Sequence, residues 1–166
     1  MTVDITPVQT QEDIDVVAAL AEEIWTSHYT SIIGKSQVEY MLGKFQSRQA
    51  ITSQISDGQE YYLVSDEIQP AGYTAIVPDS DNNKMKISKL YTLSSVRGKG
   101  LGQALLRYIE NKCKSENIPM LWLTVNKYNH EAISWYQHHG FSIKEKIKID
   151  IGEGFFMDDY IMEKCV

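Results

Sequence analysis

The sequence has few cysteines and no long hydrophobic segment. Cys113 and Cys165 are the only cysteines among 166 residues. They lie far apart and outside any CxxC or Cys/His spacing, so we expect reduced thiols, no disulfide and no metal site. No apolar run approaches the roughly 20 residues that a membrane-spanning helix needs. The first residues show neither the basic nor the apolar region of a signal peptide. We therefore expect a cytoplasmic protein without a membrane partner.

Basic residues are also scarce. The chain has 16 Lys and Arg against 22 Asp and Glu, a formal net charge of −6. A general nucleic-acid binder needs a basic surface, so we expect no nucleic-acid partner. An acidic balance suits a cationic substrate. Hydrolase signatures are missing too, because there is no GxSxG string, no HExxH string and no histidine next to either cysteine.

The length allows one domain, over residues 1–166. Apolar periodicity predicts a helix after the Thr10–Asp13 capping box, a second capped by Ser36 and a third ending at Gly58. Two further helices follow residue 100 and Asn129. Strands are predicted at VDITPV, EYYLVSD, QPAGYTAIVP, KMKISKLYTL, MLWLTV, FSIKEKIKI and FFMDDYIMEKC. The expected fold class is α/β (α+β), with a mixed, mainly antiparallel sheet of about seven strands flanked by about four helices.

The segment RGKGLG, residues 97–102, directly precedes the fourth of these helices. Glycine-rich turns before helices bind phosphates, because bare backbone amides and the helix dipole both face the anion. A P-loop is excluded because no GxxxxGK[ST] string exists. A GxGxxG fingerprint fails as well, since Gln103 or Leu105 occupies its third glycine position. Another kind of phosphate-bearing ligand is therefore expected.

RGKGLG resembles the pyrophosphate loop R/Q-x-x-G-x-G/A of the GCN5-related N-acetyltransferase (GNAT) superfamily. Arg97, Gly100 and Gly102 occupy the fixed positions. A second motif of that family, Asn-x-x-Ala-x-x-x-Tyr-x-x-x-Gly-Phe, is matched by NHEAISWYQHHGF, residues 129–141. The two motifs occur in family order and spacing, and the resemblance covers roughly residues 3–164.

This resemblance implies acetyl-coenzyme A as co-substrate and no metal. It also implies a splayed parallel strand pair, Leu90–Leu93 beside Leu123–Asn126, that admits the pantetheine arm. The residues implied in binding acetyl-coenzyme A are Leu93, Arg97, Gly98, Lys99, Gly100, Leu101, Gly102, Gln103 and Asn129. Unpaired amides are expected near Leu93, where one would stabilise the oxyanion. A purely helix-capping role for Asn129 stays open.

The implied reaction is direct attack of a primary amine on the thioester in a ternary complex. Tyr136 matches the family tyrosine near the sulfur, and its phenol would donate a hydrogen bond to the leaving thiolate. An alkyl amine of pKa ~10.4 is almost wholly protonated at pH 7, so a base should help. The sequence offers five candidates for this base without choosing among them: Glu22, His28, Tyr29, Asp158 and Asp159. Family acceptor sites lie at the first two helices and the last hairpin, so the resemblance implies substrate binding by Glu22, His28, Tyr29 and Asp159. Adjacent strand residues point to opposite faces, so at most one of Asp158 and Asp159 faces the acceptor.

Acceptor identity stays open in the sequence. The segments YMLGKF and IGEGFFMDDYIMEK resemble a bacterial subgroup, some of whose relatives acetylate polyamines such as spermidine. Small-molecule and peptide amines are both candidate partners, and the donor need not be strictly acetyl. Two alternatives remain: a non-catalytic acetyl-coenzyme A sensor of the same fold, and a protein N-acetyltransferase. The family resemblance also makes a homodimer a reasonable expectation.

Overall fold

The computed structural model describes residues 2–166. It contains five α-helices, where the sequence predicted about four. The helices are α1 Gln11–Ile33, α2 Lys35–Phe45, α3 Arg48–Ser56, α4 Leu101–Ser115 and α5 His130–His138. The strands are β1 Asp4–Pro7, β2 Glu60–Ser65, β3 Pro70–Asp79, β4 Lys84–Thr92, β5 Met120–Asn126, β6 Ser142–Gly152 and β7 Phe155–Cys165. Seven strands form a mixed sheet in the order β1-β2-β3-β4-β5-β7-β6, which confirms the predicted fold class.

The chain divides into two compact units, which are described separately. The first unit comprises residues 1–77 and 88–109, and the second comprises residues 78–87 and 110–166. The first therefore holds β1, β2, most of β3, the three N-terminal helices and the glycine loop. The second holds β5, β6, β7, α5 and the start of β4. The expectation of one domain over residues 1–166 stays a prediction.

In the first unit, the predicted capping box begins α1. The Thr10 hydroxyl accepts a hydrogen bond from the Asp13 amide, and the Asp13 carboxylate accepts one from the Thr10 amide. The helix runs on to Ile33, so His28 lies inside it and not at its end. Ser36 as the cap of α2 is wrong: Gly34 precedes the helix at φ +86°, without a side-chain cap. Glycine takes that backbone conformation at little cost, which sets the break between the helices there.

The core of the first unit contains a hydrogen-bonded polar group. Gln46 is 2% exposed, donates to the Tyr61 hydroxyl at 3.0 Å and accepts from the Tyr73 hydroxyl at 2.5 Å. Burial raises the pKa of Tyr61 to about 12 and that of Tyr73 well above its ordinary value, so both phenols stay protonated. The Tyr61 hydroxyl in turn donates to the Gln54 side chain on α3. Because Gln46, Tyr61 and Tyr73 all have hydrogen-bond partners, this network holds α3 and the end of α2 against β2 and β3.

In the second unit, β5 lies between a parallel and an antiparallel neighbour. The parallel ladder pairs Lys84–Lys86 with residues 120–122, which confirms the predicted parallel pair. On its other side β5 pairs with β7 along its whole length, and β7 pairs with β6. Alternate residues of β5 are buried, with Leu121, Leu123 and Val125 facing the core and Trp122 and Thr124 on the other face.

Residues 2–166 show neither a helix that could span a membrane nor a cluster of metal-ligating side chains. No helix there is both long and apolar enough to cross a membrane. Over the same residues, no group of three or more His, Cys, Asp or Glu side chains is arranged to hold a metal ion. Both cysteines are free thiols, Cys113 buried and Cys165 exposed.

Candidate active site

The glycine loop, Arg97–Gln103, forms an exposed turn that leads into α4. Gly98 and Gly100 both have φ +81°, a conformation that side chains disfavour. A Cβ atom built on either would meet nothing within 4 Å, so open space surrounds this backbone. The first amides of α4, at residues 101–103, have no carbonyl partner within the helix. The loop thus presents the N–H groups of residues 101–103 at the positive end of a 15-residue helix. The amides of Arg97 and Lys99 instead donate to the Ser94 and Val96 carbonyl oxygens, at 3.3 and 3.2 Å.

Cationic side chains flank these amides. Arg97 is exposed, and its Nη2 lies 3.5 Å from Nδ1 of His28 on α1. Lys99, also exposed, follows Gly98 in the loop. His28 was predicted on the acceptor side, yet within this unit it contacts the arginine of the loop. The loop has the amides, the helix end and the cations that a pyrophosphate requires.

A cluster of aromatic side chains lies between α1 and β4 in the same unit. Ring centroids are separated by 5.6 Å for Trp25 and Tyr91, 5.7 Å for Trp25 and Tyr29, and 6.1 Å for Tyr29 and Tyr91. The two tyrosine hydroxyls are 3.3 Å apart. We call these three residues the aromatic cluster. Edge-to-face packing of this kind leaves π-faces that attract cations.

Tyr91 was not singled out by the sequence, where it was one of several strand residues. Its backbone approaches β3 so closely that a Cβ on Gly72 would lie 2.5 Å from the Tyr91 carbonyl oxygen. The lack of a side chain at Gly72 therefore permits this approach. Without the pairing of β3 and β4, that glycine is indistinguishable from any other glycine in a strand.

The structure corrects one expectation at Leu93. Unpaired amides were expected near this residue, but the Leu93 amide donates to the Ala71 carbonyl oxygen at 2.8 Å. The reason is that the chain stays beside β3 for one residue beyond the end of β4. The Leu93 amide is therefore engaged in the backbone and not free for an oxyanion. A role of Leu93 in binding acetyl-coenzyme A stays a prediction.

In the second unit, the two polar residues of the second motif are both buried. Asn129 is 3% exposed and caps α5, its side chain accepting from the Ala132 amide at 3.4 Å. Tyr136, on the same helix, is 9% exposed and packs edge-on against Phe141 at 5.4 Å between centroids. The helix ends at His138, and Gly140, two residues later, has φ +95°, a left-handed conformation that stops the helix. The predicted cap and helix end are confirmed, and the motif fixes Tyr136 in a packed position.

The last hairpin holds an unusual carboxyl group. Asp159 on β7 is 4% exposed and lies opposite Asn126, the last residue of β5. Burial raises the pKa of Asp159 to about 6, and the charge of Asp158 adds to this shift. The charge of Lys86 and a hydrogen bond with the Thr124 side chain lower the same pKa. This environment holds the carboxyl close to the point where it exchanges a proton at neutral pH.

Asp158, one residue earlier, has an ordinary surface environment. Its carboxylate forms a salt bridge with Lys127, and both side chains are about one-third exposed, 32% and 29%. The expectation that the two aspartates face opposite sides is thus confirmed by their burial.

Within the first unit, Glu22 lines a surface groove and is not part of the aromatic cluster. It is exposed on α1 and lines a groove of about 750 Å³ between α1 and α2. Asp15 and Glu39 line the same groove, and Arg48 there forms an ion pair with Asp15. Glu22 is therefore part of an acidic outer surface of this unit.

Comparison with known proteins identifies the family. The model of the acetyltransferase (GNAT) family matches residues 18–141. An uncharacterized N-acetyltransferase of Lactobacillus delbrueckii subsp. lactis is 23% identical over 163 residues, covering 94% of each chain. Streptothricin acetyltransferase of Streptomyces lavendulae is 28% identical over 87 residues, which cover 52% of this chain and about half, 46%, of that relative. The solved structure of PaiA N-acetyltransferase from Thermoplasma acidophilum, in complex with coenzyme A, superposes with a TM-score of 0.84 at 22% identity over 100% of both chains.

The chain therefore belongs to the acetyltransferase (GNAT) family, a class of acyltransferases. This membership confirms the resemblance drawn from the two motifs, and the structural likeness confirms the fold. The residues assigned to donor and acceptor in this chain stay predictions.

Proposed function

We propose that this protein transfers the acetyl group of acetyl-coenzyme A to a primary amine of a small cationic molecule. The observation that carries the proposal is the exposed glycine loop at the start of α4, with two left-handed glycines and flanking cations. Family membership supports the donor. So does the coenzyme A in the complex of the Thermoplasma acidophilum relative.

In this proposal, Arg97–Gln103 bind the pyrophosphate through the backbone amides at the start of α4 and the side-chain charges of Arg97 and Lys99. Leu93 and Asn129 line the path of the pantetheine arm. Acetyl-coenzyme A supplies an activated carbonyl, and Tyr136 donates its phenolic hydrogen bond to the leaving sulfur. A phenol of ordinary pKa ~10 is too weak an acid to surrender its proton fully to a thiolate of pKa ~8.5. Tyr136 therefore acts as a hydrogen-bond donor that strengthens as charge develops on sulfur.

The aromatic cluster supports a cationic acceptor. Tyr29 and Tyr91 are partly exposed and pack on the buried Trp25, so they offer π-faces to an alkylammonium group, and the net charge of −6 favours its approach. Polyamines carry several such charges and a protein N-terminus carries one, so we propose polyamines ahead of protein N-termini as acceptors. The sensor alternative makes no use of the phenol at position 136. A cytoplasmic location and a homodimer stay predictions.

The test is release of free thiol from acetyl-coenzyme A against a panel of amines: spermidine, spermine, a lysine-bearing peptide, free amino acids and an aminoglycoside. Binding of acetyl-coenzyme A is measured separately by calorimetry. We expect micromolar binding and turnover with a polyamine. Binding without turnover on any amine would replace the enzyme with a sensor, and turnover on the peptide alone would assign a protein N-acetyltransferase. Absence of binding would refute the assignment of the loop.

A further inference from the structure

Four side chains of the second unit lie on one face of the sheet, along β5 and its neighbours β4 and β7. Lys86 and Trp122 are directly paired across β4 and β5, and the Lys86 ammonium lies 4.9 Å from the centroid of the Trp122 ring. Thr124 follows on the same face of β5, close enough to Asp159 to lower the pKa of its carboxyl. We call Lys86, Trp122, Thr124 and Asp159 the Asp159 cluster.

This cluster is polar and largely withdrawn from water. Burial lowers the pKa of Lys86, and the charge of Asp159 opposes that shift. A buried carboxyl whose neutral form is favoured is costly to keep charged, and the half-buried Lys86 compensates for this cost only in part. Packing alone does not explain a carboxyl here, since an apolar residue would fill the same space at lower cost.

An unsatisfied donor points into the same region. The indole Nε1 of Trp122 is buried and has no hydrogen-bond partner among residues 2–166. Such a group normally binds a water or a ligand atom, because an unpaired buried N–H is destabilising. Two independent features, a buried carboxyl and an unpaired donor, therefore mark a binding position on this face of β5.

Strand pairing brings the Asp159 cluster close to the start of the second motif, residues 129–141. Asp159 lies opposite Asn126, three residues before Asn129, and the Lys127 amide donates to the Asp158 carbonyl oxygen at 3.1 Å. β7 is thereby fixed to the turn from which α5 and Tyr136 continue. We propose that Asp159 is the proton acceptor for the substrate amine, positioned by Thr124 and Lys86, with Trp122 binding a water or an acceptor atom beside it.

This inference rests on the proposed acetyl transfer and adds its missing base. One N–H bond of the alkylammonium breaks and its proton passes to a carboxylate oxygen of Asp159. The freed lone pair forms the new C–N bond as the C–S bond breaks. The second proton of the nitrogen passes to the leaving sulfur, and Asp159 returns its proton to solvent. The balance is one amide, one thiol and one proton, and no further reactant is needed.

Other charged groups around Asp159 set the pH at which it accepts a proton. Lys86 faces it from β4 and Thr124 from β5, while Asp158 precedes it on β7. On β6 its direct partner is the apolar Ile147. The charge of Asp158 is shared with Lys127 in a salt bridge, which leaves Asp159 as the buried acceptor of the pair.

The experiment compares wild type, Asp159→Asn, Asp159→Glu and the matched control Asp158→Asn. Turnover of spermidine, or of the best amine of the panel, is followed from pH 6 to 10 at saturating acetyl-coenzyme A. We expect Asp159→Asn to lower kcat about a hundredfold at pH 7. The deficit should shrink by about tenfold per pH unit toward the pKa of the amine, because solvent then supplies the neutral amine. Asp159→Glu should recover part of the rate. Asp158→Asn removes a neighbouring charge but leaves the proton acceptor, so it should stay within about twofold of wild type at pH 8 and above, where Asp159 is ionised in both proteins.

A second measurement does not depend on turnover. The side-chain carboxyl of Asp159 is titrated by ¹³C NMR, assigned by its loss in Asp159→Asn, in the protein alone and with spermidine. We expect a midpoint near pH 6 that moves downward when the cation binds.

The outcomes separate the two proposals. A deficit that is equal at every pH, or a rate within threefold of wild type, overturns the role of Asp159 while leaving acetyl transfer intact. If wild type acetylates no amine, the proposed function fails. In that case a carboxyl titrating near its ordinary value and unmoved by spermidine overturns this inference too, whereas a raised midpoint that responds to spermidine supports a cation site there.

Discussion

The glycine loop and the Asp159 cluster both present polar groups to a ligand, but they differ in how far solvent reaches those groups. The loop exposes backbone N–H groups to solvent, and water satisfies them whenever no anion is bound. Asp159 is 4% exposed, and water reaches it poorly. An exposed donor therefore costs the fold little, whereas a buried carboxyl lowers stability at every pH where it is charged. Four measurements test this contrast, from the largest expected effect to the smallest.

The stability of Asp159→Asn should exceed that of wild type at neutral pH. The pKa of Asp159 is raised in the folded protein, from 3.8 to about 6, so its favourable contribution is present below pH 3.8 and is lost as pH rises through 6. The asparagine does not titrate and avoids this loss, which amounts to at most about 3 kcal/mol. Urea unfolding at pH 4, 5, 6 and 7 should show the advantage growing with pH. An advantage that is constant over this range would contradict the assignment.

Gly100→Val should weaken acetyl-coenzyme A binding about thirtyfold, roughly 2 kcal/mol, because a β-branched residue disfavours φ +81° and the loop amides lose their direction. Gly154→Val is the matched control. Its φ is +79°, its Cβ would also meet open space, and it lies in the turn between β6 and β7. Calorimetry should find binding unchanged in the control, with similar losses of Tm in both variants. Equal losses of affinity would assign the effect to general strain.

Tyr136→Phe should lower kcat by about tenfold or more, since one charge-assisted hydrogen bond to the thiolate is worth at least ~1.4 kcal/mol. Acetyl-coenzyme A affinity should change by less than about threefold, because the ring still packs on Phe141. Tyr128→Phe, at a tyrosine of the same unit that is 59% exposed, serves as the control. Thiol release and calorimetry on all three proteins check this. A loss confined to binding would remove Tyr136 from the chemistry.

Two variants of Asn129 distinguish a helix-capping role from a role in binding acetyl-coenzyme A. Asn129→Ala should destabilise the protein by about 1 kcal/mol, because the cap of α5 is lost. Asn129→Asp keeps an oxygen for the Ala132 amide and should stay within about 0.5 kcal/mol of wild type. If acetyl-coenzyme A binding also falls in the aspartate variant, the amide group contacts the cofactor. Full binding by the aspartate variant would leave Asn129 as a cap alone.

The sequence predicted the elements that depend on local chemistry. Capping residues such as Thr10 and Asn129 act within three or four positions of themselves, and alternating apolar residues identify strands wherever they lie. The glycine loop could be predicted for the same reason, because the conformation of a left-handed turn and the start of a helix depend only on residues adjacent in the chain. Ser36 failed as a cap because Gly34 ended the preceding helix two residues earlier, and the sequence did not separate these two signals.

Only the tertiary structure decided the environment of single side chains. Asp158 and Asp159 are the same residue type in adjacent positions, yet one forms a surface salt bridge and the other is buried beside Lys86. Strand alternation predicts that they differ but not which of them is buried. The burial of Asp159 and the charges around it depend on β4 and β5, which lie far from β7 in the sequence. β5 reaches β7 by strand pairing, and β4 in turn pairs with β5. The sequence by itself determined the family motifs and the local turns. Long-range strand pairing determined the surroundings of Tyr91 and Trp122 and the raised pKa of Asp159, because solvation is a property of the assembled fold.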